Sequence, residues 1–184
     1  TEPIACTTTT GLPTADGVER EVDVLVLSAG FSATKYLSAL DVTGRDGVHI
    51  DPAWRDGAHA YLGITTAGFP NLFMLYGPNT NNGSILEMIE HQTNHVLAHV
   101  ERIAGEGLAW VDVRPEVQAA YNERVQAAIA DIPVWNGDVN GYYRSASGRV
   151  VTQWPFSMTA FREMTEKLDA ADYEVAHLGA ASAD

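Results

Sequence analysis

Residues 69–92 read FPNLFMLYGPNTNNGSILEMIEHQ. The apolar run Leu72 to Tyr76 predicts a short buried strand. Gly77-Pro78-Asn79 stops it, since proline has no N–H to give a ladder and glycine turns freely. Asn81-Asn82-Gly83-Ser84 then opens a helix, with Ser84 or Asn82 as its N-cap. Ile85, Ile89, Val96, Val100 and Ile103 share one apolar face, and Gly105 ends the helix after Ala104. A strand that turns into a helix in this way gathers unpaired helical N–H groups, at the positive end of the dipole, at one edge of the sheet. That edge can seat an anion or a polarised carbonyl, or it can be an ordinary turn with polar caps. Gly77, Pro78, Asn79, Ser84, Ile85 and Leu86 are its candidate binding residues. Gly77 and Gly83 would allow close backbone approach.

A second corner lies upstream. Glu21 to Leu27 is short, aliphatic and nearly continuous, which predicts a strand buried on both faces, as in an α/β sheet. It feeds Ser28-Ala29-Gly30-Phe31, where small residues let backbone approach something flat or bulky. Gly30 and Phe31 are candidates there, and tight strand–loop packing is the alternative.

The rest of the chain is read outward from these corners. Gly11 to Val18 predicts a hairpin or loop with an Asp16-Gly17 turn. Ser38 to Phe69 reads as loops and short strands turning at Gly44, Asp46-Gly47, Asp56-Gly57 and Gly68. Pro115 suits the first turn of a helix whose Val117, Tyr121, Val125 and Ile129 fall on one face. Tyr142 to Trp154 predicts a hairpin turning at Ser147-Gly148. Ser157 to Leu168 predicts a last helix with Phe161, Met164 and Leu168 inward. Asp169 onward reads as an acidic, Ala-rich tail, extended and then disordered.

Composition narrows the function. The 184 residues carry 24 acidic against 11 basic side chains, a net charge of −13. This balance argues against nucleic acid or an anionic membrane as partner, because both demand Lys/Arg surfaces. No apolar run is long enough to span a bilayer. The lone cysteine, Cys6, forbids an intrachain disulfide and suits a reducing, cytoplasmic setting. The start Thr1-Glu2-Pro3, without Met or signal pattern, reads as the middle of a longer polypeptide.

His91, His95 and His99 fall at i, i+4 and i+8 on the first helix. Such spacing can hold a metal, but no carboxylate repeats with them, so a solvated or interface stripe is expected and no metal site is assigned. Cys6 has no basic neighbour to activate it. Ser84 does not sit in G-x-S-x-G. No triad emerges, and the catalytic residues are unknown from this sequence. Neither G-x-G-x-x-G nor a P-loop occurs, so any dinucleotide phosphate would be held by another segment.

Taken together, the two corners resemble a known family. Asp23-Val24-Leu25-Val26-Leu27-Ser28-Ala29-Gly30-Phe31 is similar to the D-x-x-V-x-A-T-G-F segment of class B flavin-dependent monooxygenases. That group holds the Baeyer–Villiger monooxygenases and their flavin-containing monooxygenase relatives. Pro70-Asn71-Leu72-Phe73 and Gly77-Pro78-Asn79-Thr80 resemble the family's P-N-L-F and G-P-N-T block, and Ile89-Glu90 with Gln92 fits the helix after it. Trp135, Tyr142-Tyr143, Gly148, Trp154-Pro155 and Asp172-Tyr173-Glu174 resemble the C-terminal tail of the Baeyer–Villiger branch. Ser28-Ala29 stands where the family has Ala-Thr, and Gly141-Tyr142-Tyr143 where it has Ser-Trp-Tyr.

The resemblance implies an α/β fold, the C-terminal portion of a flavoprotein with two dinucleotide-binding domains, with an incomplete sheet plus helices. Residues 1–20 would be a polar hairpin or loop from the upstream domain. Residues 21–176 would be the C-terminal portion of the FAD domain, and 177–184 a flexible tail. The implied cofactors are FAD and NADPH, and the implied reaction inserts one oxygen atom from O2 into a ketone or a soft heteroatom. The chain alone would be inactive. Its partners would be a small-molecule substrate and the remainder of its own enzyme, and a bare sheet edge would favour self-association. A second reading is a non-catalytic interaction module that uses the Trp/Tyr hairpin and the His stripe.

Overall fold

Turn chemistry sets the first part of the chain. In the computed structural model, which describes residues 2–28, 30, 32–135 and 143–179, Gly17 takes φ +81° between two short strands. These are β1 (Gly11–Pro13) and β2 (Glu19–Glu21), paired antiparallel with Leu12 opposite Arg20. The hairpin read into Gly11 to Val18 is therefore present. The strand expected over Glu21 to Leu27 is not. Ladder pairing stops at Glu21, and Val24, Val26 and Leu27 are 77%, 76% and 83% exposed. A buried strand needs neighbours on its edges and a layer on each face, and the described residues supply neither. Thr1–Phe31 forms one compact unit and Ser32–Asp184 another.

The second unit opens with loops, as expected. Asp46, Gly47, Gly57 and Gly68 all take positive φ in its turns. A four-residue helix that the pattern did not announce, α1 (Ile50–Ala53), buries Ile50 completely. Leu72 to Tyr76 does not form the second strand. Asn71 and Tyr76 take φ +58° and +57°, which breaks an extended run at both ends. Within it, the Met74 N–H donates to the Ile64 carbonyl at 2.8 Å.

The long helix is α2 (Ile85–Glu106). Ser84 is its N-cap, and Gly107, two residues beyond the expected end, caps the other end at φ +65°. A strand missing from the sequence reading follows directly, β3 (Leu108–Val113). Helix α3 (Pro115–Ala130) has proline at its first turn and buries Tyr121, Val125 and Ile129. Helix α4 (Met158–Thr165) starts at the Ser157 cap and buries Phe161. The turn at Ser147-Gly148 is present, with Gly148 at φ +87° and Arg144 bridged antiparallel to Val150. Tyr142 lies outside the described residues.

The tail expectation from Asp169 is corrected. Tyr173–His177 forms β4, antiparallel to β3, with Val113 opposite Tyr173 and Val111 opposite Val175. Composition hid this strand, because its apolar partners lie 60 residues away and its own alternation is short. Asp172 is held by the Tyr61 hydroxyl, which donates to Oδ2 at 2.7 Å.

One core gathers Leu62, Ile64, Met88, Val125, Trp154 and Phe161. A second gathers Ile50, Trp54, Phe69 and Met74. Each fully buried aliphatic or aromatic side chain contributes about 1.5–3 kcal/mol relative to exposure. Trp154 anchors the first core edge-on to Phe161, with ring centroids 5.2 Å apart.

Helix α2 is rolled from its expected orientation: of the expected apolar face, Val96 packs against the first core, while Ile85 and Val100 are exposed. Its buried positions are Met88, Gln92, His95 and His99, while Leu86, Leu97 and Val100 are 81%, 51% and 47% exposed. The histidine stripe is thus interior rather than solvated, and it cannot be a contact surface. His95 Nδ1 lies 2.8 Å from the Thr165 carbonyl and Nε2 lies 3.1 Å from the Tyr173 hydroxyl. His99 stacks on Phe73 and meets Tyr173 edge-on. Polar partners on α4 and β4, both distant in sequence, made this face the inner one.

Candidate functional site

The Gly77 to Ser84 corner is built by three locks. The first is steric. A Cβ on Gly77 would stand 2.3 Å from the Gly63 carbonyl oxygen, so only glycine fits. The second is Asn79, which sits at φ +57° and is 2% exposed. Asparagine tolerates this left-handed conformation better than most residues. Its Nδ2 donates to the Val150 and Gln153 carbonyls, both at 2.9 Å. The third is backbone pairing: the Asn79 and Asn81 N–H groups donate to Val151 and Thr152 carbonyls at 2.8 Å, and the Trp154 N–H donates back to Asn81 at 2.5 Å.

The helix start projects from this frame. Ser84 Oγ accepts the Glu87 N–H at 3.3 Å. The Ile85 and Leu86 N–H groups have no acceptor among the described residues. Both side chains are exposed, at 49% and 81%. Two free amides thus stand between two aliphatic side chains at the positive end of a 22-residue helix.

The structure therefore divides the candidate residues. Ser84, Ile85 and Leu86 form an open terminus. Gly77, Pro78 and Asn79 lie buried behind it and face their own protein. Gly83 is close-packed too, its would-be Cβ 2.5 Å from Met158 Sδ. Gly30, at φ +69° and exposed, belongs to the other compact unit. Phe31 lies outside the described residues.

Gln92 is the residue that sequence reasoning undervalued. It is wholly buried, accepts the Tyr76 N–H at 2.6 Å and donates to the Leu62 carbonyl at 3.1 Å. The signal available was its spacing, which sets this amide on the helix beside Ile89 and Val96, at the edge of the apolar stripe.

Titration in this unit follows burial. Desolvation pushes the Tyr76 phenol above its ordinary range. His99 is held down at about 3, first by burial, then by His95 and Arg102 beside it. Burial also lowers His95, against the Thr165 hydrogen bond and Asp172, which favour its charged form. Among the described residues no group of three or more His, Cys, Asp or Glu could hold a metal ion. No helix among them is long and apolar enough to cross a membrane.

No family model matches the chain. It is 40% identical over 179 residues to a Baeyer–Villiger monooxygenase of Pseudomonas aeruginosa, an alignment covering 95% of this chain and 34% of the relative. The closed crystal structure of cyclohexanone monooxygenase superposes with a TM-score of 0.79 at 29% identity, over 96% of this chain and 34% of that one. The structure of OTEMO in complex with FAD and NADP gives 0.78 at 26% identity, over 95% and 33%. The chain thus spans about a third of the length of the proteins it matches. Over nearly its whole length the chain is similar to about a third of the length of Baeyer–Villiger monooxygenases, a match that fits a C-terminal portion of their two-dinucleotide-binding-domain fold.

Proposed function

We propose that this chain is part of an NADPH- and FAD-dependent monooxygenase that inserts one oxygen atom from O2 into a ketone or a soft heteroatom. The observation that carries this reading is the open start of α2, set on a rigid corner in a family whose solved relative holds FAD and NADP. The terminus fits a flavin. Its free Ile85 and Leu86 amides can donate to an electron-rich ring edge, and the flanking aliphatic side chains can cover the ring's apolar part. Bound FAD would supply the redox chemistry, taking hydride from NADPH and activating O2.

The chain's own contribution is binding and placement. Ser84, Ile85 and Leu86 present N–H groups and a helix dipole where negative charge gathers on reduced flavin, and fixed donors of this kind need no reorganisation. Gly77, Pro78 and Asn79 hold that terminus from behind. Gly30 and Phe31 are assigned to flavin binding by the sequence resemblance alone. The exposed run Val24 to Leu27 becomes a buried strand once neighbouring strands flank it. The substrate is a small molecule, the main partner is the rest of the enzyme, and a reducing cytoplasmic setting suits the single free Cys6.

The test is a chimera in which residues 18–176 replace the matching third of the Pseudomonas aeruginosa relative. The expected product is yellow, shows flavin absorbance at one FAD per chain, and oxidises NADPH faster when a ketone is added. A folded but colourless chimera would overturn the reading. The 184-residue chain alone should take up no FAD tightly, since it has no phosphate-binding turn, so a tight yellow complex of that chain would contradict it.

A further inference from the structure

A cavity of about 350 Å³ in the Ser32–Asp184 unit lies away from the α2 terminus. It opens beside the first turn of α3 and is lined by Arg149, Gln118, Asn122, His59, Asp56 and Pro115, with Ala67 and Ala119 as apolar wall.

Arg149 has no carboxylate within ion-pair reach among the described residues. Its Nη2 donates to Asn122 Oδ1 at 2.7 Å, while its Nε is buried with no acceptor. The guanidinium remains a cation despite burial, which lowers its proton affinity only from a very high starting value. A half-buried charge without a counter-charge is costly.

A second observation points into the same space. Gln118 is 7% exposed, and its Oε1 is committed to the Ala67 N–H at 2.8 Å. Its Nε2 has no acceptor among the described residues. Asn122, by contrast, is fully used: Nδ2 donates to the Ala60 and Gln118 carbonyls. His59 Nδ1 lies 3.0 Å from the Gly57 carbonyl, which leaves Nε2 uncommitted. The one acid on the wall, Asp56, lies 3.8 Å from Arg55 and is mostly exposed.

We propose that this cavity is a carboxylate-binding site. Arg149 and the Gln118 amide would grip the carboxylate, and Ala67, Ala119 and the Pro115 ring would cover a short aliphatic stem. The planar guanidinium fork matches a planar carboxylate in two parallel bonds, and the small apolar wall suits a group of a few carbons rather than phosphate. Two sources share this chemistry: a free small carboxylate, or an Asp or Glu side chain from the part of the enzyme that this chain does not span.

The experiment titrates the 184-residue chain with butyrate, inorganic phosphate and chloride at matched ionic strength. Binding is followed by ligand-observed NMR and by thermal shift. Butyrate is expected to bind saturably and more tightly than phosphate. Arg149→Gln should weaken it roughly tenfold or more, as loss of a charge-assisted bond predicts. Gln118→Leu provides a second variant should Arg149→Gln fail to fold. The chimera described above then separates the sources. Butyrate binding there means that the site takes a free ligand, and its loss means that a side chain of the larger protein fills the site. The proposal is overturned if butyrate does no better than chloride, if phosphate binds as tightly, or if the folded variants bind butyrate like the parent.

Discussion

Gln92 on α2 holds the Tyr76 backbone N–H at 2.6 Å and, from the same amide, the Leu62 carbonyl at 3.1 Å. One buried side chain therefore ties the helix to the segment entering the candidate site and to the loop below it. Gln92→Leu conserves approximate volume but leaves a buried N–H and a buried carbonyl unpaired. We expect a loss of about 2–4 kcal/mol in urea unfolding. A loss under about 0.5 kcal/mol would mean that the amide does not hold this junction.

Asn79 combines a positive φ with two carbonyl clamps. Asn79→Gly keeps the backbone conformation and drops the clamps. Asn79→Ala loses both, at about 1 kcal/mol more for the strained φ. Asn79→Asp sets a carboxylate against two carbonyl oxygens. Thermal midpoints should therefore fall in the order parent, Gly, Ala, Asp. An Ala variant more stable than the Gly variant would contradict the left-handed assignment.

The buried histidines make an acid-sensitive fold. Both His95 and His99 are lowered from 6.5, His99 to about 3. A group with a depressed folded value leaves the unfolded chain binding more protons below pH 6.5. Stability is thus complete above 6.5 and drains as pH falls toward 3, at up to about 1.4 kcal/mol per pH unit per histidine. Asp112 runs the other way: burial raises it above 3.8, so its contribution falls as pH rises through its folded value. Urea midpoints at pH 7.5 and 4.5 test this, with His99→Leu expected to narrow the gap between them. An unchanged gap would mean that His99 titrates normally.

Leu86, Leu97 and Val100 stand exposed along α2. We expect the face they make to favour self-association when the chain is alone. Leu97→Lys with Val100→Lys should shift the sedimentation profile toward monomer, with stability changed by no more than about 0.5 kcal/mol, as for surface positions. Identical profiles for parent and variant would assign any association to another surface.

What the sequence determined by itself is local. Ser84 and Ser157 each cap a helix, Pro115 opens one, Gly107 closes one, and Gly17 and Gly148 turn the chain. Each of these signals needs only neighbouring residues, because caps and turns are satisfied within a few positions. The ordered motifs likewise carried the family, since they depend on spacing alone.

Tertiary structure decided the rest. The inner face of α2 proved polar because Thr165, Tyr173, Tyr76 and Leu62 offer it partners that no local pattern displays. Of the expected aliphatic face, Val96 stays against the core while Ile85 and Val100 are turned outward. β4 pairs with a strand across 60 residues, so its alternation was too short to stand out against an Ala-rich background. Val24 to Leu27 has the composition of a buried strand but no ladder partner among the described residues. Strand character is a property of the pair, and a helix face is inward only relative to what packs on it.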